Sequence, residues 1–568
     1  MRYVNQQAEL PKVISDLAMD GVLYVDMEAS GLDPHTSIPW LFTVKCAREI
    51  YIIDLRKVNI YPMKELLESR TLVGHNIAYD LGLLKAMNIV PSKVYCTMMA
   101  ESVLTMGKGL KVDLASVCER RLGRVIDKSF RESFIMDPAE ARKYIADWSN
   151  DLLVYSARDV DFLQDIMESQ RQEGLYKVIE LENNLVPVTV NMSYTGVQID
   201  IDRWLRLYAQ NKIALSEAHV KACMALRAEP EYSLFSDEVR YDSVNLSSVP
   251  TVKRLLSNLG IELEKTDRET LQTVDHPAVE ALLEYRTLAK ELSSYGSNWR
   301  EYINPVTGRI HSSFRQIGCQ TGRYSGTAPS LQTIPANPEY RECFVATPGN
   351  VLVYADYDSI EMRILATVSK CQSLSEAFEK GEDVHARTAS IMLGVSLEEC
   401  GKGTRNREIG KTLNYSIIYG QGAEKLSKSL SVTVDEASKL IERYFSTLPE
   451  IKKWQSDSLE FTQENKYAET ILGRRRYFIE GDEKAMRATA INMPIQGTSA
   501  DITKSAMVAM HKRAPFIINT VHDEIIAECP EGIKDEVLEV IETSMVESAR
   551  AFGIEATVSI KSGSHWSK

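Results

Sequence analysis

Three segments between residues 20 and 58, GVLYVDME, LFTVKC and EIYIIDL, alternate apolar with polar positions or run together as short apolar stretches. Period-two alternation and β-branched content predict three strands, the first apolar enough to be fully buried. Residues 63–90 change to a helical period after a turn, and 136–175 read as mostly helical, completing a mixed α/β unit of about 175 residues. Helical periodicity carries the chain from 176 to 300, broken near YSLFSDEVRYDSVNLSSVP, where Pro, Ser and Asn mark loops and a helix start. Strand character returns over 301–360 in GRIHSSF and VLVYAD. Residues 361–505 are helical in pattern, and FIINTVHDEIIAEC at 516–529 reads as a β-hairpin. The chain shows no internal repeat and no low-complexity tract. A compact α/β domain is therefore followed by a larger unit whose strands are widely separated by helical insertions.

The length of 568 residues suggests about three or four folding units. With 44% hydrophobic and 26% charged residues, disordered, collagen-like and coiled-coil chains are excluded. A formal net charge of −13 argues against nonspecific coating of nucleic acid, but leaves room for a local basic cleft. Nine cysteines, an odd number with no CxxC pair, support neither a zinc site nor a disulfide framework and favour a reducing interior. The N-terminal stretch MRYVNQQAELPKV lacks a basic-then-apolar leader, and no uninterrupted apolar run approaches about 18 residues. A soluble cytoplasmic protein with no membrane association is expected.

In VLYVDMEASGLD, Asp26 and Glu28 are two apart, so both carboxylates leave one face of the strand. Alone, such a pair is more often a solvated strand end. Asn76 and Asp80 in GHNIAYDLGLL, and Tyr155 and Asp159 in YSARDVDFL, are each four apart and are expected to share a helix face. Four carboxylates gather cheaply only around counter-charge, which a pair of divalent cations supplies. Such a pair about 4 Å apart activates a water and stabilises the leaving oxygen at a phosphodiester, with Tyr155 placed to orient that water. The arrangement resembles the proofreading 3′–5′ exonuclease of the DEDD superfamily, tyrosine subtype. Asp26 and Glu28 match its first motif, Asp80 its second, and Tyr155 with Asp159 its third. All four metal-binding carboxylates are present, which implies an active copy.

A second acidic set lies further on. VLVYADYDSIEMRILA is an apolar strand ending at Asp356 and passing into a helical pattern with Glu361, and FIINTVHDEIIAEC places His522, Asp523 and Glu524 in a tight turn. An HDE turn is ordinarily only polar. Here, however, both flanking strands are apolar, and a buried sheet would bring the two acids together. GKGTRNREIGKTLNYSIIYGQG spaces Arg407, Lys411, Tyr415 and Tyr419 by four, one broad helix face on which cations can hold a triphosphate and aromatics stack on a base.

These segments resemble motifs A, C and B of family A DNA polymerases. The resemblance implies that Asp356 and Asp523 bind two Mg²⁺, with Glu524 a nearby, less essential carboxylate and His522 close to the primer terminus. It implies that Arg407 and Lys411 contact nucleotide phosphates, Lys411 also as general acid for the pyrophosphate. Tyr415 would pack against sugar and base, its tyrosine favouring dideoxynucleotide acceptance. Glu361 would be a steric gate against ribose, His385 a further triphosphate contact, and Tyr419 part of the nucleotide site. Arg323, Gln332, Asn492 and Gln496 would contact DNA, the helix beginning in YDSVNLSSVPTVKRLL would track phosphates through Ser and Lys, and GRRRY at 473–477 resembles a basic loop of the family. Where the family carries an arginine four residues before Asn492, this chain has Ala488, with Arg487 one position earlier.

The resemblance implies an α/β and α+β multidomain fold: a ribonuclease H-like exonuclease domain followed by a right-hand polymerase. The expected divisions are exonuclease 1–175, thumb 176–300, palm 301–364, fingers and adjoining helices 365–505, and palm again 506–568. Two Mg²⁺ are expected in each site, Mn²⁺ substituting. Expected partners are primer–template DNA and dNTPs, with a helicase or processivity factor, for a monomeric enzyme of modest intrinsic processivity. No 5′-nuclease domain is expected. Compactness and Tyr415 favour a phage enzyme of viral DNA replication, acting in the host cytoplasm, over a bacterial large-fragment-like protein. Three rivals are a nuclease whose C-terminal part only binds DNA, a DNA-bridging scaffold, and a single-subunit RNA polymerase. Intact Asp356, Asp523 and Lys411 speak against the first, two complete acid sets against the second, and Glu361 with the exonuclease against the third.

Overall fold

Strands β1 (Arg2–Val4), β2 (Val22–Ala29), β3 (Pro39–Lys45), β4 (Ile50–Asp54), β5 (Thr71–Gly74) and β6 (Val94–Cys96) form one mixed sheet in the order β1-β4-β3-β2-β5-β6. The computed structural model describes residues 1–126, 131–135, 140, 147–232, 239–479, 481 and 483–567. Parts of the helical expectation for 136–175 and of the break near 232–250 lie outside these residues. β2 pairs antiparallel with β3 and parallel with β5, at the centre of the sheet. Its Leu23, Val25 and Met27 feed one core while Tyr24 feeds another on the opposite face, which is why the strand reads as a nearly continuous apolar run.

β5 lies inside the segment whose period suggested only helix. It is four residues long, between the short helix Lys64–Ser69 and α1 (Ala78–Ala86), too brief for a period to show. Asn76 turns the chain between them with φ of 58°, so it precedes α1 and does not share a helix face with Asp80. α2 (Asn150–Asp161) begins at Ser149, whose side chain accepts from the Leu152 amide, and packs across β2, β3 and β4.

α3 (Tyr176–Thr195) is buried between the two halves of the molecule. Val186 and Val190 join the core of the first sheet, whereas Leu185, Val188 and Met192 join the core of the second unit. α4 (Ile201–Ala225) and α5 (Pro277–Ser294) pack together, and the C-terminal end of α4 shares with α5 and the intervening segment a separate small core that includes Ala222, Leu256 and Leu282. In the segment YDSVNLSSVPTVKRLL, Ser248 caps a helix over Val249–Ser257, as its sequence implied.

The second sheet is built from β7 (Asn350–Tyr357) and three strands that follow a long excursion. That excursion contains α6 (Ile360–Ser369), α7 (Val384–Leu393), α8 (Arg405–Ile418), a hairpin of β8 (Tyr467–Glu469) and β9 (Arg475–Tyr477), α9 (Glu483–Asn492) and α10 (Thr498–Arg513). The chain returns through β10 (Ile517–Val521), β11 (Glu524–Pro530), α11 (Lys534–Ala551) and β12 (Val558–Gly563), giving the antiparallel order β10-β11-β7-β12. The hairpin and a π-turn at Met493–Gly497 interrupt the helical periodicity that dominates 361–505. Val353, Ala355, Ile525 and Ala527 face the helical core; Leu352, Tyr354 and Ile526 face a second core with Trp204, Trp299 and Trp566.

Where α3, the β8–β9 hairpin and α10 meet, four charged side chains are fully or almost fully buried. Arg474 donates to Asp501 at 2.7 Å and to Glu182 at 2.5 Å, Lys504 donates to Glu182, Gln316 Nε2 donates to Glu182 at 2.9 Å, and Thr470 donates to Asp501 at 2.7 Å. Burial alone would push the Glu182 carboxyl up, but the Lys504 and Arg474 charges outweigh it and hold the group at about 2. Lys504 is brought down to about 8, chiefly by burial.

Candidate active sites

Alternation along β2 puts Asp26 and Glu28 on one side, and α2 crosses that end of the strand, bringing Asp159 to them. One carboxylate oxygen from each of Asp26, Glu28 and Asp159 lies within 4.8 Å of the others. Asp80, on the first turn of α1, is buried beside them. Its carboxyl is pushed well above the usual range by burial and then by the charges of Asp26 and Asp159, against a hydrogen bond from the Met27 amide. Asp80 Oδ1 has no hydrogen-bond partner although it is buried. An orphaned carboxylate oxygen next to three clustered acids is the donor set expected for hard divalent cations. Tyr155 lies one turn before Asp159 on α2, buried, its ring 6.2 Å from that of Phe134.

The loop that follows β2 reaches the second unit. Asn304 Nδ2 donates to Asp33 Oδ2 at 2.8 Å, and the His35 ring lies between those of Tyr194 and His311, at 4.3 and 4.5 Å. This loop therefore ties the first domain to the larger one.

In the second sheet, Asp356 is paired in register with Glu524 across β7 and β11. His522, with φ of 59°, and Asp523 form the two-residue turn between β10 and β11. Burial, and then the charge of Asp356, hold the Asp523 carboxyl up at about 7. Two neighbouring carboxylates, one held back from ionising by the other, again fit a divalent cation. The Glu524 carboxylate accepts from Trp566 Nε1 at 2.8 Å and from Arg341 at 3.2 Å, with the Arg341 guanidinium 4.0 Å above the Trp566 ring. These bonds make Glu524 a brace for the strand pair, a part its position in the HDE turn did not disclose.

Glu361, near the start of α6, receives Arg323 at 2.5 Å and the Tyr419 hydroxyl at 3.4 Å. Gln496, inside the π-turn, hydrogen-bonds Tyr419. α8 stops at Ile418, so Tyr419 caps the helix instead of continuing its face, yet its ring still stacks on Tyr415 at 5.9 Å. Tyr415 is pushed up to about 12 by burial, with Glu361, Asp523 and Asp356 adding to it, which places its hydroxyl in the field of the acids. Arg407 donates to Asp383 Oδ2 at 2.7 Å; Asp383 caps α7, so one carboxylate ties the starts of both helices together. Lys411 is exposed on α8 and His385 is buried on α7, its ring 5.7 Å from Tyr415.

The remaining expected contacts are more dispersed. Gln332 is half-buried on the turn Leu331–Thr333, and Asn492 ends α9 with its buried Oδ1 lacking a partner. Arg487 and Ala488 are both exposed on α9. Sequence reasoning passed over Asn414 and Arg341. Asn414 lies off the four-spaced face of α8, and Arg341 acts through partners far away in the chain.

A family model described as DNA polymerase family A matches residues 233–568, and one described as 3′-5′ exonuclease matches residues 1–173. The segment left between them is occupied mainly by α3 and α4. DNA polymerase I, thermostable, of Thermus aquaticus is 32% identical over 472 residues, covering 76% of this chain and 54% of its own length. DNA polymerase I of Chloroflexus aurantiacus is 32% identical over 526 residues, covering 87% and 54%. DNA polymerase I of Borreliella burgdorferi is 29% identical over 604 aligned positions, covering 100% and 64%. The chain thus spans little more than half the length of the curated relatives it matches. The expectation of viral replication gains no support from these bacterial relatives. Among solved structures, the POL domain of Pol1 from M. smegmatis in complex with DNA primer-template and dNTP has the same fold, with a TM-score of 0.81 at 22% identity, covering 99% of both chains. With the matched polymerase model accounting for most of its length, the chain belongs to DNA polymerase family A, and it carries a 3′–5′ exonuclease domain ahead of the polymerase unit.

Proposed function

We propose that the chain extends a primer along a DNA template with deoxynucleotides and removes mispaired 3′ ends in its first domain. The observation that carries the polymerase half is the meeting of Asp356 and Asp523 at one end of a sheet, in the electrostatic reach of Tyr415 on α8. Bound divalent cations, Mg²⁺ or Mn²⁺, would activate the attacking oxygen and stabilise the leaving group at each acidic centre. Asp356 and Asp523 would hold them in one centre, and Asp26, Glu28, Asp80 and Asp159 in the other. Arg407 and Lys411 supply positive charge for a triphosphate, Lys411 from an exposed position where it is free to swing. Tyr415 offers an aromatic face to base and sugar, and Glu361, pinned by Arg323 and Tyr419, fills the space of a ribose 2′-hydroxyl. Arg323 would leave Glu361 to reach the minor-groove edge of the terminal pair. His522, Gln332, Asn492 and Gln496 are proposed DNA contacts. In the first domain, Tyr155 orients the attacking water.

The test is a labelled primer on a longer template with Mg²⁺. Lengthening is expected with dNTPs and shortening without them. D356A is expected to shorten but not extend, and D80A to extend but not shorten. Shortening alone by the unmodified chain would leave only the nuclease reading, and extension with rNTPs as readily as with dNTPs would overturn Glu361 as a gate.

A further inference from the structure

α7 and α8 approach so closely at Gly410 that a Cβ there would come within 2.2 Å of the His385 carbonyl oxygen. One turn further along α8, Asn414 is fully buried with its amide turned to α7. Nδ2 lies 3.0 Å from His385 Nδ1 and 3.1 Å from Thr388 Oγ1, while Oδ1 lies 3.2 Å from the Tyr444 hydroxyl. The neighbours settle which end of the amide is which. Tyr444 is fully buried and its hydroxyl proton needs an acceptor, which only Oδ1 offers in this contact. Thr388 Oγ1 lies within reach of both amide ends, 3.2 Å from Oδ1 as well, but its one proton goes to the nearer Val384 carbonyl at 2.8 Å, leaving Oγ1 to accept from Nδ2.

An amide NH₂ can only donate, so His385 Nδ1 must accept. A neutral imidazole carries one ring proton, which is then confined to Nε2. The groups around the ring keep it neutral. Burial comes first and brings it down to about 4, opposed by Asp383 and Glu408 and helped by Arg407 and Lys411.

We propose that Asn414 is a positioning residue for nucleotide binding, fixing the His385 tautomer so that Nε2–H is a permanent donor for the triphosphate. This rests on the reading above that His385 meets the triphosphate. The opposite tautomer would face phosphate oxygens with a lone pair, a repulsive contact where a charge-assisted hydrogen bond is needed.

N414D keeps the shape and reverses the demand, because a carboxylate accepts where the amide donated. The proton then moves to Nδ1. The buried carboxylate also raises the ring above its native value of about 4, so at pH 6 both nitrogens hold protons and Nε2 still donates, whereas at pH 9 Nε2 becomes a lone pair. The ratio of dNTP KM in N414D to that in the native chain is expected to rise from near unity at pH 6 to about tenfold or more at pH 9, with a smaller change in kcat. A ratio that does not vary with pH would overturn the proposal, since a merely structural lesion has no reason to track imidazole protonation. A second arm needs no change at position 414. ¹⁵N-histidine spectra of the native chain, with the His385 ring assigned by its loss in H385Q, are expected to show Nε2 protonated and Nδ1 bare at pH 7. The reverse pattern would overturn the proposal whatever N414D does. If H385A leaves the dNTP KM unchanged, it is the triphosphate reading that fails, and the ring spectra still judge the hold of Asn414 on the tautomer.

Discussion

Replacing Glu182 by glutamine removes one charge from a cluster that is fully or almost fully buried. Glu182, Asp501, Arg474 and Lys504 sum to zero, and E182Q leaves two buried cations facing one anion. Breaking a buried ion pair by removing one partner costs about 3–5 kcal/mol. The cluster has one escape, release of the Lys504 proton. Burial has already brought Lys504 to about 8 with Glu182 holding it up, so without Glu182 it drops below neutrality. The sign follows from proton counting. Near pH 7 the folded variant then binds one proton fewer than the unfolded chain, whose lysine titrates near 10.4, so stability rises with pH by about 1.4 kcal/mol per unit. In the native chain both states hold that proton below about 8, and Lys504 contributes no slope there. Urea unfolding of the polymerase unit, followed by fluorescence of the buried Trp204, Trp299 and Trp566, measures both effects between pH 6 and 8. A variant that loses less than about 1 kcal/mol, or whose stability runs parallel to the native curve, would refute the reasoning. The companion E182Q/K504M, neutral again, is expected to recover most of the loss.

Removing either acid centre should separate the two reactions, D356A lowering extension by at least about a thousandfold while sparing excision, and D80A doing the converse; loss of both reactions in either variant would contradict two independent centres. Because burial and Asp356 hold Asp523 at about 7, the metal-free folded chain keeps a proton there that the unfolded chain has lost, and stability from this group falls as pH rises toward 7. Mg²⁺ should therefore raise the melting temperature more at pH 8 than at pH 6, and equal shifts would count against it. If the Tyr415 hydroxyl makes dideoxynucleotides acceptable, as its resemblance to the family implies, Y415F should raise discrimination against them about tenfold or more in competitive incorporation.

Much of this was readable along the chain because it depends on short spacings. A two-position step from Asp26 to Glu28 puts them on one face, and four-residue steps put Arg407, Lys411 and Tyr415 on one helix. What escaped depends on distance in sequence or on very short elements. β5 is too short to establish a period, and the π-turn at Met493–Gly497 breaks the count that carries a helix face from Arg487 to Gln496. The buried charges of Glu182, Arg474 and Lys504 look like surface charges in their own segments, because their partners come from elsewhere. Asn414 was hidden by its neighbour Tyr415, whose face drew the attention.

The second sheet also has a mechanical meaning. The chain leaves it just after Asp356 and comes back to it at β10, a few residues before Asp523, with α7 and α8 carried on the excursion between. Both attachment points of that excursion lie close along the chain to the acids. The carboxylates belong to the anchored strands, while Arg407, Lys411 and His385 belong to the suspended part. A swing of the suspended helices would bring the groups proposed to hold phosphate up to a stationary pair of acids, so closing over a nucleotide would not require the proposed metal ligands to move at all.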